Sequence, residues 1–326
     1  VLETISGASL HEAAARAGIE PGELADAIEL YHAAGLAALE TQAEAGRGWY
    51  SVSIRFTDWK TAERTATDLL EPQLQDAERN GLLGGWWFLR KHPCWRLRCR
   101  PGPSATRADI VSFVSTALET LRTGGAIDRW WETIYEPEAL AFGGPTGTDI
   151  AHDLFHADSH GVLDYVRRQA LVQPTEPILG RREVGVLLCS TLFYGAGQEA
   201  YEQADVWHRV EQIRPVATEL PADQLSTMGT AMRLLMNLDT APTSALFKPD
   251  GLAFIAPWAG AYEDAGHRLG DMARDGTLSR GIRDILAHHV IFAWNRLGLD
   301  GRTQGILART ARETLMNHPR TEPGTP

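Results

Sequence analysis

The 326-residue sequence is poor in cysteine, short of positive charge and free of long apolar runs. Three cysteines, Cys94, Cys99 and Cys189, are too few for a disulfide framework of the kind that staples small secreted domains. Cys94 and Cys99 lie an odd number of positions apart, so on a β-strand their side chains would leave from opposite faces. Small buried thiols in a reducing, cytoplasmic setting are the expectation. The uncharged stretch from Leu252 to Tyr262 is too short to span a bilayer and carries proline and glycine. No charged leader followed by an apolar segment opens the chain, so no signal peptide is expected. The first residue is Val, which suggests a start inside a longer protein. Basic residues number 31 against 42 acidic ones, a net charge of −11, which disfavours nucleic acid and anionic membranes as partners. Internal repeats and low-complexity segments are absent from the sequence.

What is present is a globular composition, 44% hydrophobic and 22% charged. The length allows about two domains of roughly 150 residues and a large core without disulfides or structural metal. Residues 1–46 read as a helical extension. Ser9 can cap a helix starting at Leu10, with Glu12 at the reciprocal capping-box position; the helix stops at Gly18. Pro21 opens a second helix to about Gly35. Two short helices before a strand have a winged-helix outline. The segment to Gly46, however, carries eight acidic residues against Arg16 alone, which argues against DNA and for a peptide-docking role.

Residues 47–137 follow a different pattern. Trp49 to Phe56 alternates and is rich in β-formers. A helical stretch runs from Asp58 to about Arg79. Strands at Trp86 to Lys91 and Cys94 to Arg100 flank a turn at His92-Pro93. A helix at Thr106 to Arg122 precedes a last strand at Ile127 to Tyr135. The order β-α-β-β-α-β predicts an α+β fold with a ferredoxin-like antiparallel sheet and two helices on one face. Residues 138–326 read as a large helical half completing the same catalytic domain. Helices are expected at Thr148 to Ala170, Arg181 to Tyr194, Glu199 to Arg214, Pro221 to Leu238, Tyr262 to Gly270, Ser279 to Leu297 and Gln304 to Met316. A polar tail follows from His318.

Four pieces could carry chemistry. On the strand Cys94 to Arg100, Arg96, Arg98 and Arg100 share one face, and Trp95, Leu97 and Cys99 the other. Together with Arg90 and Lys91 of the preceding strand, they form either a salt-bridged surface or a floor of forked donors for peptide carbonyls. In Tyr135 to Ser159 a Pro/Gly loop runs into a helix on which His152, His156 and His160 form a stripe. His152-Asp153 and His156 also mimic a zinc-protease pattern. The Asp is a methylene short of Glu and no third ligand follows at fixed spacing, so no metal site is expected. Packed histidines or proton transfer remain open. In the third piece, Gly195 and Gly197 would break two helices and aim Ser190, Tyr194 and Gln198 at one junction, or form only a helix corner. On the fourth, His288 to Arg296, His289, Phe292 and Arg296 line one helix face. The ten tryptophans, Trp86, Trp87, Trp130 and Trp131 among them, serve as core or as stacking surfaces for flat heteroaromatic rings.

These pieces occur in a recognisable order. WYSVSIRF, GGWWFLRKHPCWRLRCR, YEPEALAFGGPTGTDIAHDLFHADS, YEQADVW and HHVIFAWNRLGL resemble the C-terminal domain of lantibiotic dehydratases and its standalone thiopeptide relatives, over most of Trp49 to Met316. In that family the glutamate-elimination module carries an Arg-Tyr-Gly-Gly loop, an Ala-Glu pair in the next helix and a His-Met before Asn-Arg. Here the matching residues are Ala141-Phe142-Gly143-Gly144, Ala151-His152 and Ile291-Phe292 before Asn295-Arg296. These departures resemble the pyridine synthases of thiopeptide pathways.

The resemblance implies formal aza-[4+2] cycloaddition between two dehydroalanines of one peptide, with loss of water and of the leader peptide, and no metal or redox cofactor. The implied substrate is an azole- and dehydroalanine-containing precursor peptide with its leader, in association with other pathway enzymes; neither nucleic acid nor membrane is a partner. Motif position assigns Tyr135, His156, Ser159 and Tyr194 to proton transfer. Arg90, Arg96 and Arg98 would hold carbonyls, and Trp86, Asp158, Ser190, Gln198 and His289 would complete the substrate site. The rivals are a glutamate-elimination subunit of a split dehydratase, a non-catalytic leader-binding subunit and a zinc hydrolase.

Overall fold

The computed structural model describes Thr4 and residues 7–171, 179–216, 222–239, 244–247 and 252–317. The expected polar tail and the ends of some loops lie outside the described residues. The chain divides into two compact units, Val1–Trp49 and Tyr50–Pro326.

In the first unit, α1 (Leu10–Ala17) starts where Ser9 Oγ accepts the Glu12 amide and stops at Gly18, whose φ of 68° suits a residue without a Cβ. Ala13, Ala14 and Leu24 form a small core with Leu10 and Ile28. The second helix, α2 (Pro21–Arg47), runs well past Gly35, where the sequence pattern placed its end. A single helical glycine costs only about 1 kcal/mol, and the alanine- and glutamate-rich stretch that follows favours continuation.

The second unit is built on a four-stranded antiparallel sheet in the order β2-β3-β1-β4, the ferredoxin-like arrangement anticipated from the element order. Its strands are β1 (Tyr50–Phe56), β2 (Leu83–Lys91), β3 (Cys94–Pro101) and β4 (Ile127–Thr133). Helix α3 joins β1 to β2 in three segments, Ala62–Thr65, a π-helical turn Ala66–Leu70 and Glu71–Arg79. Pro72 lacks an N–H and crowds the preceding turn, and the widened turn lies directly before it. Helix α4 (Arg107–Thr123) starts at a capping box between Thr106 and Asp109.

The pleat sorts the strands into two faces. Tyr50, Val52, Ile54, Trp86, Phe88, Trp95, Leu97 and Cys99 are buried in one core with Leu70, Leu74, Ile110, Val114 and Leu118 of the two helices. The other face carries Ser51, Ser53, Trp87, Leu89, Arg96 and Arg98. Antiparallel pairing sets Arg98 between Trp87 and Ser51, and Arg96 between Leu89 and Ser53.

Among the described residues, seven α-helices complete the unit: α5 (Pro145–Leu171), α6 (Arg181–Gly195), α7 (Ala200–Ile213), α8 (Ala222–Met236), α9 (Ala256–Arg274), α10 (Ile282–Arg296) and α11 (Gly301–Asn317). Helix α9 is longer at both ends than its apolar pattern suggested, and Pro257 sits in its first turn, where a missing N–H is harmless. Helices α5 and α10 pack against β2. No helix among the described residues is long and apolar enough to cross a membrane.

Candidate active site

The second sheet face meets the segment after β4, the loop leading into α5 and helix α10 at a cavity of about 450 Å³. Arg96, Arg98, Trp87 and Leu89 contribute from the sheet, Ile134 to Glu138 from the segment beyond β4, and Phe142 and Phe292 from the helical half. That size falls among ordinary ligand pockets.

Local sequence explains how each group arrives. Strand alternation brings Arg96 and Arg98 to one face. Phe142 is aimed by the loop into α5, where Gly143 and Gly144 take φ of 88° and 99°. A Cβ on Gly143 would meet the Ile285 side chain at 2.6 Å, and one on Gly147 the Phe142 carbonyl oxygen at 2.0 Å. Only glycines permit this turn. Behind the cavity, Phe155 stacks on Phe292 with centroids 5.1 Å apart, and Phe142 meets Phe292 edge-on at 5.1 Å.

Arg98 is the electrostatic centre. It is 7% exposed, with its guanidinium carbon 4.2 Å from the Trp87 ring centre and 4.7 Å from that of Tyr135. Its Nε and one terminal nitrogen have no hydrogen-bond partner among the described residues. Burial above all pushes its pKa down to about 10, so it stays cationic at neutral pH. A buried cation with free donors beside a cavity attracts carbonyl, carboxylate or oxyanion oxygens.

Tyr135 follows β4, and its hydroxyl lies 2.7 Å from His152 Nε2. Burial raises the phenol pKa, against the influence of Arg98. Burial, reinforced by Arg100 and Arg98, lowers His152 to about 4. The pair is therefore neutral at neutral pH, a phenol donor against an imidazole acceptor. With Arg98 alongside, it can move a proton to or from a group in the cavity.

Of the residues singled out from the sequence, Tyr135, Arg96 and Arg98 come together at this cavity. Arg90 does not. It pairs across the hairpin with Trp95, so it belongs to the opposite face, where it sits 4.7 Å from the Trp95 ring centre and pairs with Glu63. Trp86, also on that face, is fully buried and donates its indole N–H to Glu78.

His156 and Ser159 lie along the outer edge of β2. His156 Nδ1 is 2.8 Å from the Trp86 carbonyl oxygen, and Ser159 Oγ, fully buried, accepts the Phe88 amide and donates to the Phe155 carbonyl. Both satisfy edge groups of a strand that, among the described residues, has no neighbouring strand on that side. His156 and His160 also share the Glu78 carboxylate.

The remaining residues belong to the helical half. Asp158 is fully buried and pairs with Arg296, while accepting from Trp258 Nε1 at 2.8 Å and Tyr262 Oη at 2.6 Å. Tyr194 donates to the Met236 carbonyl. Gln198 donates to the Ala196 carbonyl, and Ser190 Oγ is buried without a hydrogen-bond partner among the described residues. Helix α6 continues through Gly195, which packs against the α9 backbone, so that piece is a helix corner. His289 is 2% exposed against Phe142, with centroids 5.0 Å apart. Its ring nitrogens lack partners among the described residues, and burial holds its pKa down to about 3.

His152, Phe292 and Trp87 belonged to pieces weighed for chemistry but, like Phe142, were left out of the assigned site. His152, Phe142 and Phe292 occupy positions at which the motifs depart from the elimination pattern, and that was the available signal.

Residues 49–315 match the sequence family described as lantibiotic biosynthesis dehydratase, C-terminal. Among solved structures, the tRNA-dependent lantibiotic dehydratase MibB from Microbispora sp. 107891 matches with a TM-score of 0.64 and 16% identity, over 84% of this chain and 28% of that one. TsrL matches at 0.54 and 14%, over 83% and 95%. The pyridine synthase TbtD from thiomuracin biosynthesis matches at 0.54 and 12%, over 82% and 98%. The chain thus spans little more than a quarter of MibB but nearly all of the other two. At these identities the likeness is one of fold. No curated protein matches the chain.

Proposed function

Because the chain belongs to the lantibiotic biosynthesis dehydratase C-terminal family, we propose that it matures a ribosomally made peptide, as a pyridine synthase. The carrying observation is the aromatic-walled cavity above Arg96 and Arg98, lined by Phe142 and Phe292 at two of the positions where the elimination pattern is lost.

In the proposed reaction, the amide before one dehydroalanine shifts its N–H proton to oxygen, giving a 2-azadiene. Two carbon–carbon bonds then form to the second dehydroalanine. Loss of one water and of the leader as its amide leaves the aromatic ring. Arg98 and Arg96 hold the amide oxygen on which negative charge develops. Tyr135, paired with His152, exchanges protons with that oxygen and with the departing hydroxyl. Trp87, Phe142 and Phe292 stack on azoles and the nascent ring. Folding two distant alkenes together is the main task, and good orientation can supply about 7–11 kcal/mol. His156, Ser159, Asp158 and Tyr194 are assigned to the frame that holds these groups.

The test is incubation of the whole chain with a linear peptide carrying leader, azoles and two dehydroalanines, followed by mass spectrometry. We expect free leader amide and a core lighter by leader amide and one water, with pyridine absorption. Tyr135→Phe should slow the reaction by about 10²–10⁴-fold with the fold intact. Unchanged substrate would sink the proposal, and glutamate release from a glutamylated peptide would replace it with elimination.

A further inference from the structure

The zinc-protease-like pair His152 and His156 is split by the fold, since His152 binds the Tyr135 hydroxyl, but His156 and His160, the next pair on the stripe, gain a partner from elsewhere in the chain. Glu78, on the last turn of α3, brings its carboxylate to the same stripe: Oε1 is 3.0 Å from His156 Nε2 and Oε2 is 3.1 Å from His160 Nε2. The three donor groups lie within 4.8 Å of one another. Metal–ligand bonds of about 2.0–2.1 Å in a tetrahedron separate ligand atoms by about 3.3 Å, so the two Glu78–histidine distances already suit an ion and the remaining separation needs to close by at most about 1.5 Å.

Outer contacts orient the donors. His156 Nδ1 lies 2.8 Å from the Trp86 carbonyl oxygen and 3.2 Å from the Trp86 amide nitrogen, so the strand edge anchors the ring and leaves Nε2 facing Glu78. The Trp86 indole N–H, 3.1 Å from Glu78 Oε2, fixes the carboxylate, and the His160 ring rests against the same indole with centroids 4.4 Å apart. The three side chains are 24–31% exposed, enough for an ion to enter and keep a water.

We propose that Glu78, His156 and His160 bind one Zn²⁺ ion, with a fourth, exchangeable position open to solvent. Two imidazoles and one carboxylate suit zinc, whereas Mg²⁺ and Ca²⁺ require oxygen-rich sets. The site lies at the outer edge of β2 and clips the end of α3 to α5. It is independent of the cyclisation proposed above.

The test is titration of chelator-treated full-length protein with Zn²⁺ against a chromophoric indicator, beside Mg²⁺. The expected result is one Zn²⁺ per chain, a higher melting temperature with Zn²⁺ and no response to Mg²⁺. His160→Ala and Glu78→Gln should each weaken binding at least about 10-fold. Co²⁺ should give the visible bands of a four-coordinate site in the wild type and lose them in His160→Ala. Failure of the wild type to bind Zn²⁺ stoichiometrically overturns the proposal, as does equal affinity in both variants.

Discussion

Replacing Arg98 by methionine separates what the guanidinium does for the fold from what it does for the reaction. Its burial moves the pKa from 12.5 to about 10, which corresponds to a charge penalty of order 3 kcal/mol in the folded state. Opposing that are two cation–π contacts, to Trp87 and Tyr135, each about 1–2 kcal/mol when desolvated. Methionine keeps an unbranched side chain between the two rings and gains sulfur–aromatic contacts of about 0.3–1.5 kcal/mol each. The terms leave Arg98→Met as stable as the parent, or more stable by about 1–2 kcal/mol. Turnover should fall by about 10²–10³-fold, the usual loss when one donor to a developing oxyanion is removed. Arg98→Lys should recover little, because an ammonium cannot present a planar fork. Urea denaturation and the cyclisation assay read the two quantities separately. Loss of more than about 2 kcal/mol with unchanged turnover would make Arg98 a structural pillar and refute the reasoning.

Asp158→Ala leaves the Arg296 guanidinium buried without its counter-charge, and should cost about 3–5 kcal/mol in urea denaturation. A loss under 1 kcal/mol would mean that water reaches the pair. His289→Leu removes two buried nitrogens without partners among the described residues while keeping apolar contact with Phe142, and should raise stability by about 1 kcal/mol; a fall would reveal a role for the ring. Acid should destabilise the fold early. His152 and His289 have folded pKa values of about 4 and about 3, below the ordinary 6.5, so the unfolded chain binds more protons in that window. Stability is then retained above pH 6.5 and lost as pH falls towards 4, at up to about 1.4 kcal/mol per pH unit for each histidine. Replacing both by neutral residues should flatten the slope between pH 6.5 and 5 in denaturation series; an unchanged slope would assign it to other groups.

The sheet and its guanidinium face were legible because strand alternation has period two and needs no tertiary knowledge. So were Ser9 and Thr106, whose capping depends on residues three positions away. Arg90 was not legible as an opposite-face residue. Its relation to Arg96 depends on the cross-strand register of β2 and β3, which pairs Arg90 with Trp95. His156 and Ser159 were read as chemistry because nothing local says that β2 is an edge strand whose groups need partners. Glu78 was missed for the same kind of reason, since it lies far from His156 in sequence and reaches it only after α3 folds back along β2.

The family motifs also divide by what their residues do in this structure. Those that agree with the elimination pattern hold the frame. Gly143 and Gly144 supply the positive φ values that aim Phe142, Asn295 accepts from Gln304, and Arg296 pairs with Asp158 under α9. Of those that depart, Phe142 and Phe292 line the cavity and His152 binds the Tyr135 hydroxyl there, whereas Ile291 is buried beside Phe292 on α10 and Ala141 stands outside the lining. A frame residue is constrained by buried charge or backbone conformation, and changing it costs several kcal/mol. A lining residue faces open space, so its exchange alters the chemistry offered to a substrate at little cost to folding. Exchanges at Phe142, His152 and Phe292 can therefore change the cavity while the Asp158–Arg296 pair and the two glycines hold the fold.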